Sequence, residues 1–401
     1  MGSTDDLLTM LYWILGLILV IFIIDWVWLK PLKEKRETDR IIQRLRHKNT
    51  VFYQTLPKFK AGRGIVTVTN NSLILQTALL IATLRRLGCQ LPVLACYAGD
   101  DLDDDNRRML HELPHVETMA TSQKLDLPLE TLRGTQLRVY SLIYSPFSEV
   151  LLIEPDTMFF RNPEYLFDDP RYQQTGALFW KDRKLSSYWD KKVYDWVRRL
   201  IPYRRSDNRI LDKKAGNYQS RSIIILNKSM HTKMLEKLWV LTREWETVYN
   251  YLPGDKETWW IAAELAKEDY TFVDSYPGVI GELEDTIGDT KVPLCGHTLY
   301  LDPAGQLLCW DDSIFENGDV RKVTDFTHYA RFGPSAQWNS VLGVSATTKC
   351  LRNAEYFMVT PDHKRLFNEY AHLCHELKNR LTIKNPKQLE YNSDDDSDID
   401  Q

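Results

Sequence analysis

The stretch EVLLIEPDTMFFRNPEYLF, residues 149–167, runs from an apolar segment straight into two carboxylates, Glu154 and Asp156, and then into turn residues. Carboxylates at i and i+2 across a proline turn can bring their oxygens toward one hard divalent cation. Magnesium or manganese held in this way keeps coordination positions open for the oxygens of a substrate diphosphate. The structural alternative for the same pattern is a turn or a helix cap. The surrounding segments weigh on that choice.

Upstream, RGIVTVTN (63–70) is a β-branched run that ends in turn chemistry. SLILQTALLIATLRRLG (72–88) has helical apolar periodicity with Gly88 as its stop, and LPVLACYA (91–98) reads as a second strand. The candidate helix DDDNRRMLHEL (103–113) precedes a short strand at 116–119, and GTQLRVYSLIYS (134–145) is a further helix before EVLLIE. Strand and helix alternate, which predicts an α/β fold with a mainly parallel sheet. Ligands of such sheets gather beyond the carboxyl ends of the strands, and that is where Glu154 and Asp156 fall.

The chain has 401 residues, 43% apolar and 26% charged, ample for one large domain or two smaller ones around a proper core. Its formal net charge of −4 provides no global basic field, so the sequence argues against nucleic acid as a partner. The 12 Trp and 20 Tyr are side chains that line sugar clefts as well as fill cores. Six cysteines without CxxC spacing indicate neither a zinc site nor a thioredoxin-type site. They are compatible with disulfides in an oxidising lumen and with reduced core thiols alike.

After a short tail (1–6), residues 7–29 are long and apolar enough for a transmembrane anchor. No basic region precedes the run and no small-x-small site follows it, unlike a cleaved signal peptide. Residues 30–60 read as a charge-rich, membrane-proximal stem that starts as a helix, with Ile41, Ile42 and Leu45 at helical spacing. Residues 61–385 form the body, and the acidic end 386–401 has no apolar face and reads as disordered. Asp5 and Asp6 precede the anchor whereas Lys30, Lys33, Lys35 and Arg36 follow it, a charge pattern that favours a cytosolic body.

The segments GRGIVTVTNN, GTQLRVYSLIYSPFSEVLLIEPDTMFFRNPEYLF, SIIILNKSMH, YLPGDKETWWIAAEL, and PGVIG followed by LCGHTLYLDPAG occur in that order. Together, from Gly62 to about Ser313, they resemble the fungal-type α-mannosyltransferases of glycosyltransferase family 71. The resemblance implies a GT-A fold, a Rossmann-like single α/β catalytic domain with an Asp-x-Asp motif. It also implies transfer of α-mannose from GDP-mannose to a glycan acceptor with retention of configuration, dependence on Mn2+ or Mg2+, and a single-pass type II placement in the Golgi membrane. A lumenal body of that kind runs opposite to the flanking charges. The motif reads Glu154-Pro155-Asp156 here, with glutamate in the place of the first aspartate. Where the family pattern carries His-Arg after CGHT, this chain has Cys309, Trp310 and Asp311, and YQSRS replaces Glu-Ser-Gly-Gln before SIIIL. Two other functions stay open: a UDP-hexose-dependent transferase of the same fold, and a catalytically silent relative that binds glycans or scaffolds other transferases.

On these motifs Asp156 is the principal metal ligand. Glu154 is a second ligand or a partner of the ribose hydroxyls, and His297 in LCGHT is the remaining metal candidate, or else a structural histidine. Asp255 in PGDKETWW is the catalytic candidate, placed to stabilise positive charge at the donor's anomeric carbon, with a helix cap as its alternative. Trp259 and Trp260 are candidates for a sugar-binding wall. Thr67, Thr69 and Asn70, at the end of the first strand, are placed for the nucleotide. Arg138 is placed for the donor phosphates and Lys228 for the acceptor.

Overall fold

A computed structural model describes residues 4–124, 132, 134–184, 191–203, 208–214, 217–252, 254–283, 293–314, 325–338 and 349–380. The acidic end, 386–401, lies outside the described residues.

The α/β half follows the expected alternation. Its strands are β1 (Lys60–Val68), β2 (Val93–Tyr97), β3 (Val116–Ala120) and β4 (Phe147–Ile153). After β5 (Met158–Phe159) come β6 (Ala177–Lys181), β7 (Gln219–Asn227) and β8 (Thr271–Phe272). Seven of these form one sheet in the order β3-β2-β1-β4-β7-β6-β8. β1 pairs in parallel with β2 and β4, and β2 with β3, whereas β7 runs antiparallel to both β4 and β6. The sheet is mixed and mainly parallel, as the alternation of strand and helix predicts.

β4 is central because its residues serve two cores. Leu151 and Ile153 pack on one face with the Ile74–Arg86 helix, and Val150 and Leu152 pack on the other with the Thr135–Tyr144 helix. All four are at most 1% exposed. A strand covered on both faces needs an unbroken apolar run, and each such side chain contributes about 1.5–3 kcal/mol by burial. The expected helices of this half start and stop within two residues of their sequence signals, with the first ending before Gly88 at φ 86°.

The remaining strands make a second sheet that sequence reading did not anticipate. They are β9 (Gly278–Glu282), β10 (Leu294–Leu301), β11 (Leu307–Trp310), β12 (His328–Arg331), β13 (Gln337–Trp338), β14 (Lys349–Arg352) and β15 (Glu355–Met358), and their pairings are antiparallel. PGVIG and LCGHT are where β9 and β10 meet, with Gly281 opposite Gly296. A Cβ on Gly281 would stand 2.0 Å from the Cys295 carbonyl oxygen, and one on Gly296 would stand 2.1 Å from that of Ile280. Only glycine permits this approach. A disulfide between Cys295 and Cys350 staples β10 to β14, and Cys89, Cys96, Cys309 and Cys374 are buried outside any disulfide.

At the N-terminus, the Thr4–Ile24 helix continues through a single wide turn, Asp25–Leu29, into the Lys30–Arg46 helix. Its apolar part is entirely unburied and at about 1.5 Å per residue is long enough to cross a membrane. Beyond it Thr38, Ile41 and Leu45 form the buried face, so the residues expected to form a helical stem dock on the body.

Candidate active site

The Glu-Pro-Asp turn is the seam between the two sheets. β4 leaves the first sheet at Ile153, the turn follows, and β5 enters the second sheet by pairing antiparallel with β11, Met158 opposite Trp310 and Phe159 opposite Cys309. That register carries Asp311 and Asp312, the two residues after β11, to the rim occupied by Asp156. The Ser313 amide closes the seam by donating to the Asp156 carbonyl at 2.7 Å, and the Asp311 amide donates to the Thr298 carbonyl at 3.0 Å. A second apolar run that breaks into carboxylates, LLCWDD, thus faces the first. This repeat of the LLIEPD pattern was the available signal for Asp311 and Asp312, which sequence reading passed over.

The carboxylates on this rim have different electrostatic surroundings. Glu154 is turned toward two arginines: its Oε1 pairs with Arg138 Nε, and its Oε2 accepts from Arg221 Nη2 at 3.3 Å. Burial alone would raise its pKa, but Arg221 and Arg138 hold it below the usual range. Asp156 is driven well above the usual range, by burial first and then by Asp311, Asp312 and Glu154. Asp311 is raised to about 7, by burial and the neighbouring Asp312 against the attraction of Lys349. Asp312 sits low because Lys349 Nζ grips both its oxygens, at 2.9 and 2.7 Å, with His297 adding attraction.

These environments bear on the ligand assignments. Glu154, expected as a second metal ligand, is neutralised by arginines, so a role in setting the arginines suits its surroundings better. His297 Nδ1 is engaged with the Asp311 carbonyl at 3.0 Å, and its ring lies edge-on to Phe326 at 5.2 Å. Asp156 and Asp311 remain with no cationic side chain paired to them among the described ion pairs. Asp311 Oδ1 is buried and has no hydrogen-bond partner, while its Oδ2 accepts from the Tyr300 hydroxyl at 2.9 Å. Two hard oxygen donors that disfavour each other's ionisation are suited to a magnesium or manganese ion. Among the described residues no group of three or more His, Cys, Asp or Glu side chains forms a closed cage. For an ion that shares its coordination with substrate phosphates, one or two carboxylates are the usual protein share.

Asp255 is 1% exposed and does not face open space. Its Oδ2 accepts from Arg138 Nη1 and from Trp259 Nε1, both at 3.0 Å, and no side-chain cap is made at the start of the Thr258–Ala266 helix. A charge-stabilising role at the donor sugar was expected for it; in this structure its carboxylate is engaged with Arg138, itself 3% exposed. Trp259 and Trp260 are fully buried in the core, so neither forms a sugar wall. Their indole N–H groups would have no partner in hydrocarbon, and each is satisfied by a carboxylate, Asp255 for Trp259 and Glu257 for Trp260.

The nucleotide candidates lie at the carboxyl end of β1. Thr67 is buried with an unpartnered Oγ1, whereas Thr69 accepts from Thr77 Oγ1 at 2.8 Å. Asn70 Oδ1 accepts from Ser72 Oγ and from the Leu73 amide, which engages that oxygen locally. Lys228 is fully buried and donates to the Leu142, Ile143 and Ser145 carbonyls and to Ser145 Oγ. It ties down a helix end where an acceptor contact was expected. Arg221, by contrast, was missed: YQSRS reads as a departure from a pattern, yet it places a half-exposed guanidinium over Glu154.

The family model described as "Mannosyltransferase putative" matches residues 62–300. A Candida albicans protein named "Putative alpha-1,3-mannosyltransferase MNN12" is 28% identical over 226 residues, 50% of this chain and 27% of that protein. The Saccharomyces cerevisiae "Alpha-1,3-mannosyltransferase MNT2" is 21% identical over 260 residues, 56% of this chain and 46% of its own. The chain thus spans less than half the length of these curated relatives. Among solved structures, core-mannan synthase A from Aspergillus fumigatus in its Mn/GDP form is 11% identical, covering 53% of this chain and 73% of that one at a TM-score of 0.35. With more than half of its residues inside the family match, the chain belongs to the fungal mannosyltransferase family, glycosyltransferase family 71, that its motifs resemble.

Proposed function

We propose that this protein is a membrane-anchored α-mannosyltransferase that moves mannose from GDP-mannose to a glycan acceptor with retention, using a divalent cation. The observation that carries the reading is the meeting of Asp156 and Asp311 across the β5–β11 pair, two half-buried carboxylates that make no ion pair among those described, at the rim of a nucleotide-binding type of sheet. Family membership supports the sugar. Asp156 and Asp311 hold the cation, which when bound supplies a Lewis acid for the leaving diphosphate.

The chain's own residues do the rest. Arg221, steadied by Glu154, offers a fixed guanidinium to phosphate oxygens, and the charge it places there favours the transition state more than the ground state as negative charge develops. Asp255 and Glu154 hold Arg138 from two sides and so keep the Glu154 carboxylate oriented. Tyr300, which accepts from Ser220 Oγ at 2.9 Å, donates to Asp311 and fixes its second oxygen.

Lumenal placement of the body is supported by the Cys295–Cys350 disulfide, since such bonds persist in oxidising compartments and are rare in the cytosol. It weighs against the flanking charges and agrees with a type II Golgi protein. The reading is tested by incubating the full chain with a panel of labelled nucleotide sugars, with manganese or with chelator. Manganese-dependent consumption of GDP-mannose above all other donors is expected. A preference for a UDP-hexose, or no consumption of any donor, overturns the assignment.

A further inference from the structure

The helix that crosses the membrane does not end at the membrane. From Met10 to Arg46 it is continuous, 37 residues, and its second half is clamped to the body. Glu34 Oε2 accepts from the Tyr251 hydroxyl at 3.4 Å, Glu37 Oε2 from Thr247 at 3.5 Å, and Asp39 Oδ1 from Arg199 at 2.8 Å, while Arg44 pairs with Glu244. Thr38, Ile41 and Leu45 are buried on the same side, and Phe52 just beyond is fully buried. Lys30, Lys33, Lys35 and Arg36, just past the apolar run, stay exposed. The helical path from bilayer to body passes through the wide turn Asp25–Leu29 and lacks one ladder bond at Pro31, which has no amide N–H, but no loop intervenes.

The first clamp is close to both membrane and site. Glu34 lies five residues past Leu29, about 8 Å along a helix axis. Its partner Tyr251 is four residues from Asp255, at most about 14 Å of chain. Adding side-chain reach, the Asp255–Arg138–Glu154 network stands within roughly 35 Å of the bilayer surface.

We infer that the continuous helix is a rigid strut that fixes the height and facing of the active site above the membrane, and that the acceptor it selects is a glycan anchored in that same membrane. An acceptor held in the plane at the right height gains effective concentration from a fixed pose, whereas a soluble one gains nothing. This rests on the membrane-anchored transferase reading above and names its acceptor class.

The test uses the full chain in proteoliposomes with one short mannoside, presented either on a lipid anchor in the same vesicle or free in solution. A flexible six-residue Gly-Ser insertion between Leu29 and Lys30 leaves every clamp intact and removes only the strut. Donor hydrolysis and transfer to the free mannoside should stay within about twofold, while transfer to the anchored mannoside should fall at least fivefold. A ratio of anchored to free transfer that the insertion leaves unchanged overturns the inference. The pose is read separately by a spin label at Met358→Cys, an exposed position, against labelled headgroups. A narrow distance distribution that broadens on insertion is expected, and equal breadth in both proteins contradicts the strut whether or not any donor is turned over. Absence of donor hydrolysis in the unmodified chain counts instead against the transferase reading.

Discussion

Arg138 joins Glu154 and Asp255: its Nη1 donates to Asp255 Oδ2 at 3.0 Å while its Nε pairs with Glu154 Oε1. The arginine is 3% exposed and Asp255 1%, while Glu154 is half-buried. Replacing it by Met leaves buried Asp255 with only the Trp259 N–H and Glu154 with only Arg221, and should destabilise the protein by about 3 kcal/mol, whereas an exposed helix arginine would cost less than about 0.5 kcal/mol. Arg138→Lys keeps the charge but not the planar fork and should fall between. Urea unfolding of the three proteins checks this.

Glu257 predicts a pH dependence. Its Oε1 accepts from the Tyr218 and Gln219 amides at 2.7 and 3.2 Å and its Oε2 from Trp260 at 2.6 Å, and burial raises its pKa to about 7. The folded state therefore holds this proton more tightly than the unfolded chain does. Its contribution is complete below about pH 4.5 and is lost as pH rises through about 7, by at most about 3 kcal/mol. The slope of unfolding free energy against pH over that window should flatten in Glu257→Gln, at a fixed cost from setting an amide N–H against the Trp260 N–H.

Lys228 places its side-chain amine, lowered by burial to a pKa of about 6, beneath the end of the Thr135–Tyr144 helix, with four oxygens within 3.3 Å and the Phe59 ring 4.1 Å away. Lys228→Met should cost about 2–4 kcal/mol, because buried carbonyls lose their donor. An acceptor-binding role would instead raise the KM for acceptor at unchanged stability. Measuring Tm and KM on the same variant separates the two.

The Cys295–Cys350 bond links residues 55 apart and is flanked by His297 and Lys349, both directed at the acidic rim. Loop-closure entropy assigns it about 4 kcal/mol. The double Cys→Ser variant should unfold at lower denaturant and lose affinity for the donor more than an equally destabilised core variant, since Lys349 is released with β14. Equal losses of donor affinity in both would leave the bond a purely global staple.

The α/β half was legible because its signals are local. Alternating periodicities, Gly88 as a stop and the run VLLI before Glu154 each depend on neighbours in the chain. The second sheet is built from strands of two to eight residues, many with partners far away in sequence, and Gly278, Gly281 and Gly296 are what hint at the pairing. Site chemistry divides the same way. Asp156 was readable from its turn, whereas Asp311 acquires meaning only through the register that sets Trp310 against Met158. Trp259 and Asp255 misled in the same direction, because adjacency in PGDKETWW does not reveal that the indole and the carboxylate bond to each other in the core.

The central claim is that Asp156 and Asp311 together hold one divalent cation for a nucleotide diphosphate. Manganese titration of the full chain in the presence of GDP, followed by electron paramagnetic resonance of the free ion, tests it without requiring turnover. One site per chain is predicted, weakened at least tenfold in Asp156→Asn and in Asp311→Asn and little changed in Glu154→Gln. Manganese affinity that survives both aspartate substitutions, or that is lost only with Glu154, contradicts the account.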